Sequence, residues 1–193
     1  MYRAFALKAL RCDVPLDSGA QLEELAKETT IGLVSTAQGN RILLDGEEVT
    51  ALLRDAGVTQ AASRVSVHPA IRAWMVSMQQ QLGAQGGVVM EGRDIGTVVF
   101  PHAEVKIFLD ADPEVRGLRR YEQLGPDSLA KSEDVVSELR ARDKRDRNRL
   151  DSPLKPASDA VVLDSTNLTL DQVIEQAEAI VSARLAGCSP TAD

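Results

Sequence analysis

Apolar positions recur at helical spacing at both ends of the chain, and gather into short runs between them. Residues 2–11 carry Ala4, Phe5, Leu7, Ala9 and Leu10 on a stretch without a breaker, which predicts a helix. Ser18-Gly19-Ala20-Gln21 has a capping-box pattern and opens a second helix reaching about Glu28. Ile31-Gly32-Leu33-Val34 and Arg41-Ile42-Leu43-Leu44 flank Ala37-Gln38-Gly39-Asn40, which reads as a hairpin. Pro69 suits the first position of a helix whose Ile71, Trp74, Met75, Met78 and Leu82 form a core stripe. Three later runs predict buried strands of a parallel sheet covered on both faces: Gly87-Val88-Val89-Met90, Val105-Lys106-Ile107-Phe108-Leu109 and Ala160-Val161-Val162-Leu163. Asp112-Pro113 caps a helix ending near Gly125, Ser132 caps another, and Thr169-Leu170-Asp171-Gln172 opens the last, leaving a frayed tail from Cys188. The order of elements predicts a three-layer α/β domain.

Composition narrows the class. The 193 residues suffice for one globular domain, and 44% hydrophobic against 26% charged residues permits a packed core. No apolar run is long enough for a membrane span, and residues 1–8 lack the pattern of a signal peptide. Cys12 and Cys188, near opposite ends, exclude a disulfide scaffold and suit a cytoplasmic protein. His68 and His102 leave little room for a His-based metal centre. A net charge of -7 argues against nucleic-acid binding. Arginine is nonetheless concentrated: Arg140, Arg142, Lys144, Arg145, Arg147 and Arg149 crowd one window with Asp143 and Asp146. Such a window is either a solvated helix face laced with ion pairs or a site for a small anion.

Two segments carry candidate chemistry. Glu91-Gly92-Arg93-Asp94-Ile95-Gly96-Thr97 directly follows an expected strand, and ligands of open α/β sheets bind at the carboxyl ends of strands. The same residues also fit a tight turn with a surface ion pair. In the second segment, a helix would place Arg142, Arg145, Asp146 and Arg149 on one face. Guanidinium groups bind phosphate oxygens bidentately and a carboxylate accepts from ribose hydroxyls, so this face suits a phosphorylated sugar.

Gly92-Arg93-Asp94-Ile95-Gly96-Thr97-Val98-Val99-Phe100-Pro101, Val105-Lys106-Ile107-Phe108-Leu109-Asp110-Ala111, the run from Arg142 to Arg149, and Leu163-Asp164-Ser165-Thr166 resemble bacterial cytidylate kinase in order and spacing. Met1-Tyr2-Arg3-Ala4 and Gln60-Ala61-Ala62-Ser63 match as well, and the resemblance extends to about Ala186. It implies a P-loop nucleoside monophosphate kinase fold with a parallel core sheet. It divides the single domain into a CMP-binding subdomain over about 1–85, a core over about 86–111 and 151–186, a lid over about 112–150, and a tail over 187–193. The activity implied is phosphoryl transfer from ATP, with Mg²⁺, to CMP or dCMP in pyrimidine metabolism, by a cytoplasmic monomer without nucleic-acid or membrane partners. By the same resemblance, Arg3, Arg93 and Arg149 bind the CMP phosphate. Ser63, Arg72 and Asp94 read cytosine, and Arg142 and Asp146 meet the ribose hydroxyls. Arg116, Arg119 and Arg120 are catalytic lid residues that neutralise nucleotide phosphates.

That assignment agrees with the chemistry of the residues. Phosphoryl transfer depends on positioning and charge neutralisation more than on acid–base groups, so a site rich in Arg and without His is expected. Asp94 can accept from the cytosine amino group, where uracil would offer only another acceptor. One departure stands out: no Gly-Lys pair occurs in the 193 residues, so the P-loop pattern GxxxxGK[ST] is absent. The resemblance begins in mid-motif at Met1, and the expectation is an N-terminally truncated kinase fold that lacks its triphosphate cradle and turns over no ATP. The alternative reading is a non-catalytic CMP-binding or degenerate fragment of the same family.

Overall fold

A computed structural model describes residues 1–37, 39–124, 131–148 and 153–187. The chain divides into two compact units, Met1–Gly87 and Val88–Asp193.

The first unit contains α1 (Tyr2–Arg11), α2 (Gly19–Lys27), β1 (Ile31–Thr36), β2 (Gly39–Leu44), β3 (Glu47–Glu48), a 3₁₀ turn (Leu52–Arg54), α3 (Ala56–Val65) and α4 (Pro69–Gly83). Its centre is α1, whose Ala4, Phe5, Ala6, Leu7 and Ala9 are all buried. A helix buried on more than one side loses the one-face periodicity of a surface helix. Here α1 packs on α3, α2 and β2, and its three alanines let those neighbours approach. Phe5 meets Trp74 edge to face, ring centroids 5.0 Å apart. In the expected α4 stripe, Ile71 and Met75 are fully buried, Trp74 and Met78 pack against the core, and Leu82 lies outside it, 40% exposed. Pro69 opens α4 as expected. Ser18 occupies the N-cap of α2, but its side chain makes no capping hydrogen bond, so the expected capping box is not formed.

The hairpin runs in register from Ile31 opposite Leu44 to Thr36 opposite Gly39. Its strands therefore extend further into the connection than the alternation suggested. Gly39 has φ 116°, in the region that favours glycine. A second hairpin, unforeseen in the sequence, turns at Asp45 and Gly46, with φ 51° and 87°. Asp-Gly at two successive positive φ values is the usual chemistry of a tight two-residue turn. Asp45 also accepts from Lys8 Nζ at 2.5 Å and from the Thr30 amide at 2.8 Å, which holds its carboxyl below the ordinary range. Arg11 grips Glu47 with both arms of its guanidinium group, at 2.7 and 2.9 Å. These pairs clip the end of α1 to the turn.

The second unit contains a π-helical turn (Ile95–Val99), β4 (Ile107–Asp110), α5 (Pro113–Leu124), α6 (Ser132–Asn148), β5 (Val161–Asp164) and α7 (Leu170–Gly187). β4 and β5 pair in parallel from Ile107 opposite Val161 to Asp110 opposite Asp164, and α7 packs on β5. Two expectations need correction. Residues 87–90 form no strand: Gly86 and Gly87 have φ near 71° and 65°, and Val89 is fully exposed. An apolar run becomes a strand only where a neighbour takes up its amides and carbonyls, and no described residue pairs with this one. Nor are β4 and β5 covered on both faces, since Leu109 and Val162 are each 58% exposed. α5 and α6 pack closely, at a point where Gly117 lets the helices touch. A β-carbon there would lie 2.3 Å from Val136 Cγ2. The expected end of α5 near Gly125 and the tail from Cys188 fall outside the described residues.

Candidate functional site

In the second unit, the chemistry begins at the turn after Gly92. The amides of Thr97, Val98 and Val99 all point at the Asp94 carbonyl, at 3.3, 2.9 and 3.3 Å, and Phe100 donates to the Ile95 carbonyl at 2.7 Å. This compact turn leaves no room for a side chain at position 92, where a β-carbon would meet Ile95 at 2.7 Å. Its far end is anchored by Lys106, whose Nζ donates to the Pro101 carbonyl and to both Asp159 oxygens at 2.9 and 2.8 Å. The alkyl chain of Lys106 packs against Gly96. Arg93 and Asp94 are thus held at the entrance of a braced turn.

α6 supplies the opposing charges. Asp143 and Asp146, three residues apart and so on one face, are only 7% and 8% exposed. Arg116 Nη1 donates to Asp143 Oδ2 at 2.5 Å, and its Nε donates to the Ala111 carbonyl at 2.9 Å. Arg93 Nη1 lies 2.7 Å from Asp146 Oδ2 and 3.4 Å from Asp143 Oδ1, and Arg142 Nε lies 3.9 Å from Asp146 Oδ2. Three guanidinium groups therefore surround two carboxylates. Buried ion pairs of this kind contribute little net stability, because desolvation offsets attraction. Their value lies in fixing the direction of each guanidinium fork, the shape that matches phosphate oxygens.

The inward face of α6 differs from the one expected. Asp143 turns inward, whereas Arg145 is exposed. Arg149 lies outside the described residues. Arg119 donates to the carbonyls of Ser165 and Leu168 at 2.7 and 3.0 Å and to Ser165 Oγ at 3.1 Å, tying α5 to the segment after β5. Arg120 is half-buried, with Gln123 Oε1 at 3.5 Å from its Nη1.

The remaining candidates belong to the first unit. Arg3 Nη1 donates to the Leu53 carbonyl at 3.1 Å. Arg72, 7% exposed, donates to the Ser66 carbonyl at 3.3 Å, and Ser66 Oγ donates to the Ser63 carbonyl at 3.0 Å. Ser63 and Arg72 are thereby linked through the α3–α4 connection.

A family model for cytidylate kinase matches residues 1–183. The chain belongs to the cytidylate kinase family. It is 43% identical over 186 residues to a cytidylate kinase of Pasteurella multocida, covering 96% of this chain and 82% of that protein. Over 185 residues it is 45% identical to the cytidylate kinase of Pelotomaculum thermopropionicum, covering 95% and 82%. The relative from Vibrio cholerae is 43% identical over 186 residues, covering 96% and 83%. Membership agrees with the fold class read from the sequence, an α/β kinase fold with a parallel sheet. No helix among the described residues is long and apolar enough to cross a membrane.

Sequence reasoning missed Asp143 and Lys106. The signal for Asp143 was present: in a run of arginines, the two acids Asp143 and Asp146 recur at helical spacing. Nothing local marks Lys106, since its partner Asp159 lies 53 residues away.

Proposed function

We propose that the protein binds CMP or dCMP and holds its phosphate to accept the γ-phosphoryl group of ATP, giving CDP or dCDP and ADP, the cytidylate kinase reaction of pyrimidine nucleotide metabolism, acting as a cytoplasmic monomer. The observation that carries this reading is the cluster of Arg93, Arg116 and Arg142 around Asp143 and Asp146, in a chain matched by the family over residues 1–183. In the proposal, Arg3, Arg93 and Arg149 take the acceptor phosphate, Arg142 and Asp146 take the ribose, and Ser63, Arg72 and Asp94 read the base. Arg116, Arg119 and Arg120 neutralise the phosphates during transfer. Asp94 occupies the N-cap position of the turn.

The donor side is different. Mg²⁺ and ATP are implied by the reaction, and a P-loop normally cradles them with backbone amides, a Lys and a Ser or Thr hydroxyl. The 193 residues contain no Gly-Lys pair. No group of three His, Cys, Asp or Glu side chains suited to a metal occurs among the described residues. A second reading, kept as the alternative, is CMP binding without catalysis.

One pair of measurements separates the readings. Calorimetry with CMP and UMP should give binding of CMP in preference to UMP, and a coupled assay for ADP then decides whether transfer follows. Binding without ADP production selects the second reading. Equal or absent binding of CMP and UMP overturns both.

A further inference from the structure

We infer that Asp143 is a positioning residue that sets Arg93 and Arg116 for one phosphate group. The inference rests on the CMP reading of this site and adds to it a residue whose side chain need not touch the nucleotide.

The carboxylate is divided between the two cations. Oδ2 accepts from Arg116 Nη1 at 2.5 Å and Oδ1 faces Arg93 Nη1 at 3.4 Å. Each guanidinium has a second anchor: the Ala111 carbonyl for Arg116 Nε, and Asp146 Oδ2 for Arg93 Nη1. Two fixed points define the plane of Arg116. For Arg93, both anchors fall on Nη1, and among the described residues its Nε and Nη2 meet no protein acceptor. Those donors form the fork edge that binds a phosphate bidentately. Arg93 precedes the braced turn, Arg116 lies on α5 and Asp143 on α6, so one carboxylate joins three separate parts of the second unit.

Charge explains why an acid is needed. Two guanidinium groups converging on one point repel each other, and burial strengthens that repulsion. A carboxylate between them offsets the repulsion while leaving other N–H groups of each cation directed elsewhere. An amide of the same shape cannot do this. It would accept from one arginine and present N–H donors to the other, leaving a buried donor unsatisfied.

The test compares ligands that share the base but differ in phosphate. Calorimetry on the full chain and on Asp143→Asn would use CMP, cytidine and inorganic phosphate as probes. Asp143→Asn should weaken CMP and inorganic phosphate at least tenfold, leave cytidine within twofold, and keep the ratio of CMP to UMP affinity unchanged. Asp143→Glu retains the charge on a longer arm and should recover part of the loss. Should Asp143→Asn fail to fold by circular dichroism, Asp143→Glu carries the test through its CMP-to-cytidine ratio. Equal losses for CMP and cytidine would mark a merely structural role and overturn the inference. So would unchanged CMP affinity in a folded variant, or a parent chain that binds neither CMP nor phosphate. If the parent chain binds phosphate but not CMP, and Asp143→Asn abolishes that binding, the CMP reading falls while the role of Asp143 stands.

Discussion

Lys106 and Asp159 are 53 residues apart in the chain, and the Lys106 ammonium group donates to both oxygens of the Asp159 carboxylate, at 2.9 and 2.8 Å. The Lys106 side chain is 6% exposed and the Asp159 side chain 56%. The same ammonium group donates to the Pro101 carbonyl at the end of the turn that carries Arg93 and Asp94. A surface carboxylate therefore helps to hold a buried cation that braces the turn.

The pair predicts an acid limb in stability. Hydrogen bonding from Lys106 holds the Asp159 carboxyl below its ordinary value of 3.8. A depressed carboxyl contributes stability that is present above the unfolded-state value and lost as pH falls through the folded-state value. Stability of the parent chain to urea should therefore fall as pH drops below about 4 toward the depressed folded-state value. Lys106→Met removes this contribution, so the variant should be less stable at pH 7 and its stability should fall less steeply over that window. Parallel pH profiles for the two proteins would contradict the assignment.

Asp94 and Arg93 are adjacent and should separate by ligand. Asp94→Ala should reduce affinity for CMP more than for UMP, by about 1–3 kcal/mol of lost discrimination, the scale of one base-edge contact. Arg93→Ala should weaken both nucleotides alike, because they share the phosphate. Calorimetry with the two nucleotides checks this. Equal proportional losses in both variants would make Asp94 a structural partner rather than a reader of the base.

Gly117 of α5 lies against Val136 of α6. A β-carbon there would lie 2.3 Å from Val136 Cγ2 and 3.0 Å from the Val136 backbone. Gly117→Ala should destabilise the second unit by about 1–3 kcal/mol, the range for overpacking, despite the gain in helix propensity. Val136→Ala in the same chain removes the nearest atom and should restore part of the loss. Denaturant midpoints of the single and double variants provide the measurement.

Phe5 has no exposed surface and meets Trp74 at 5.0 Å. Phe5→Ala should cost about 3–5 kcal/mol, as for a large aromatic removed from a core. Trp74 is the single tryptophan in the chain, so its fluorescence reports this packing directly. An unshifted emission maximum in the folded variant would show that the contact is not kept in solution.

Much of the local structure was legible in the sequence because its causes are local. Pro69 preset the start of α4, and the alternation around 31–44 specified a hairpin. The spacing of GRDIGTVVFP and the arginine run carried the family. Other features depend on partners distant in sequence. Val88 and Val89 look like the interior of a sheet, yet with no paired neighbour among the described residues they remain irregular and exposed. The rotation of α6 about its axis decided that Asp143 faces inward and Arg145 outward, and it is set by packing on α5 at Gly117 and Val136. A run of charges carries no apolar stripe to announce that rotation. Residue types and their spacing thus determined which groups were present for phosphate chemistry. Only the tertiary structure decided which carboxylate stands between which arginines, because that arrangement follows from the docking of α5, α6 and the turn after Gly92.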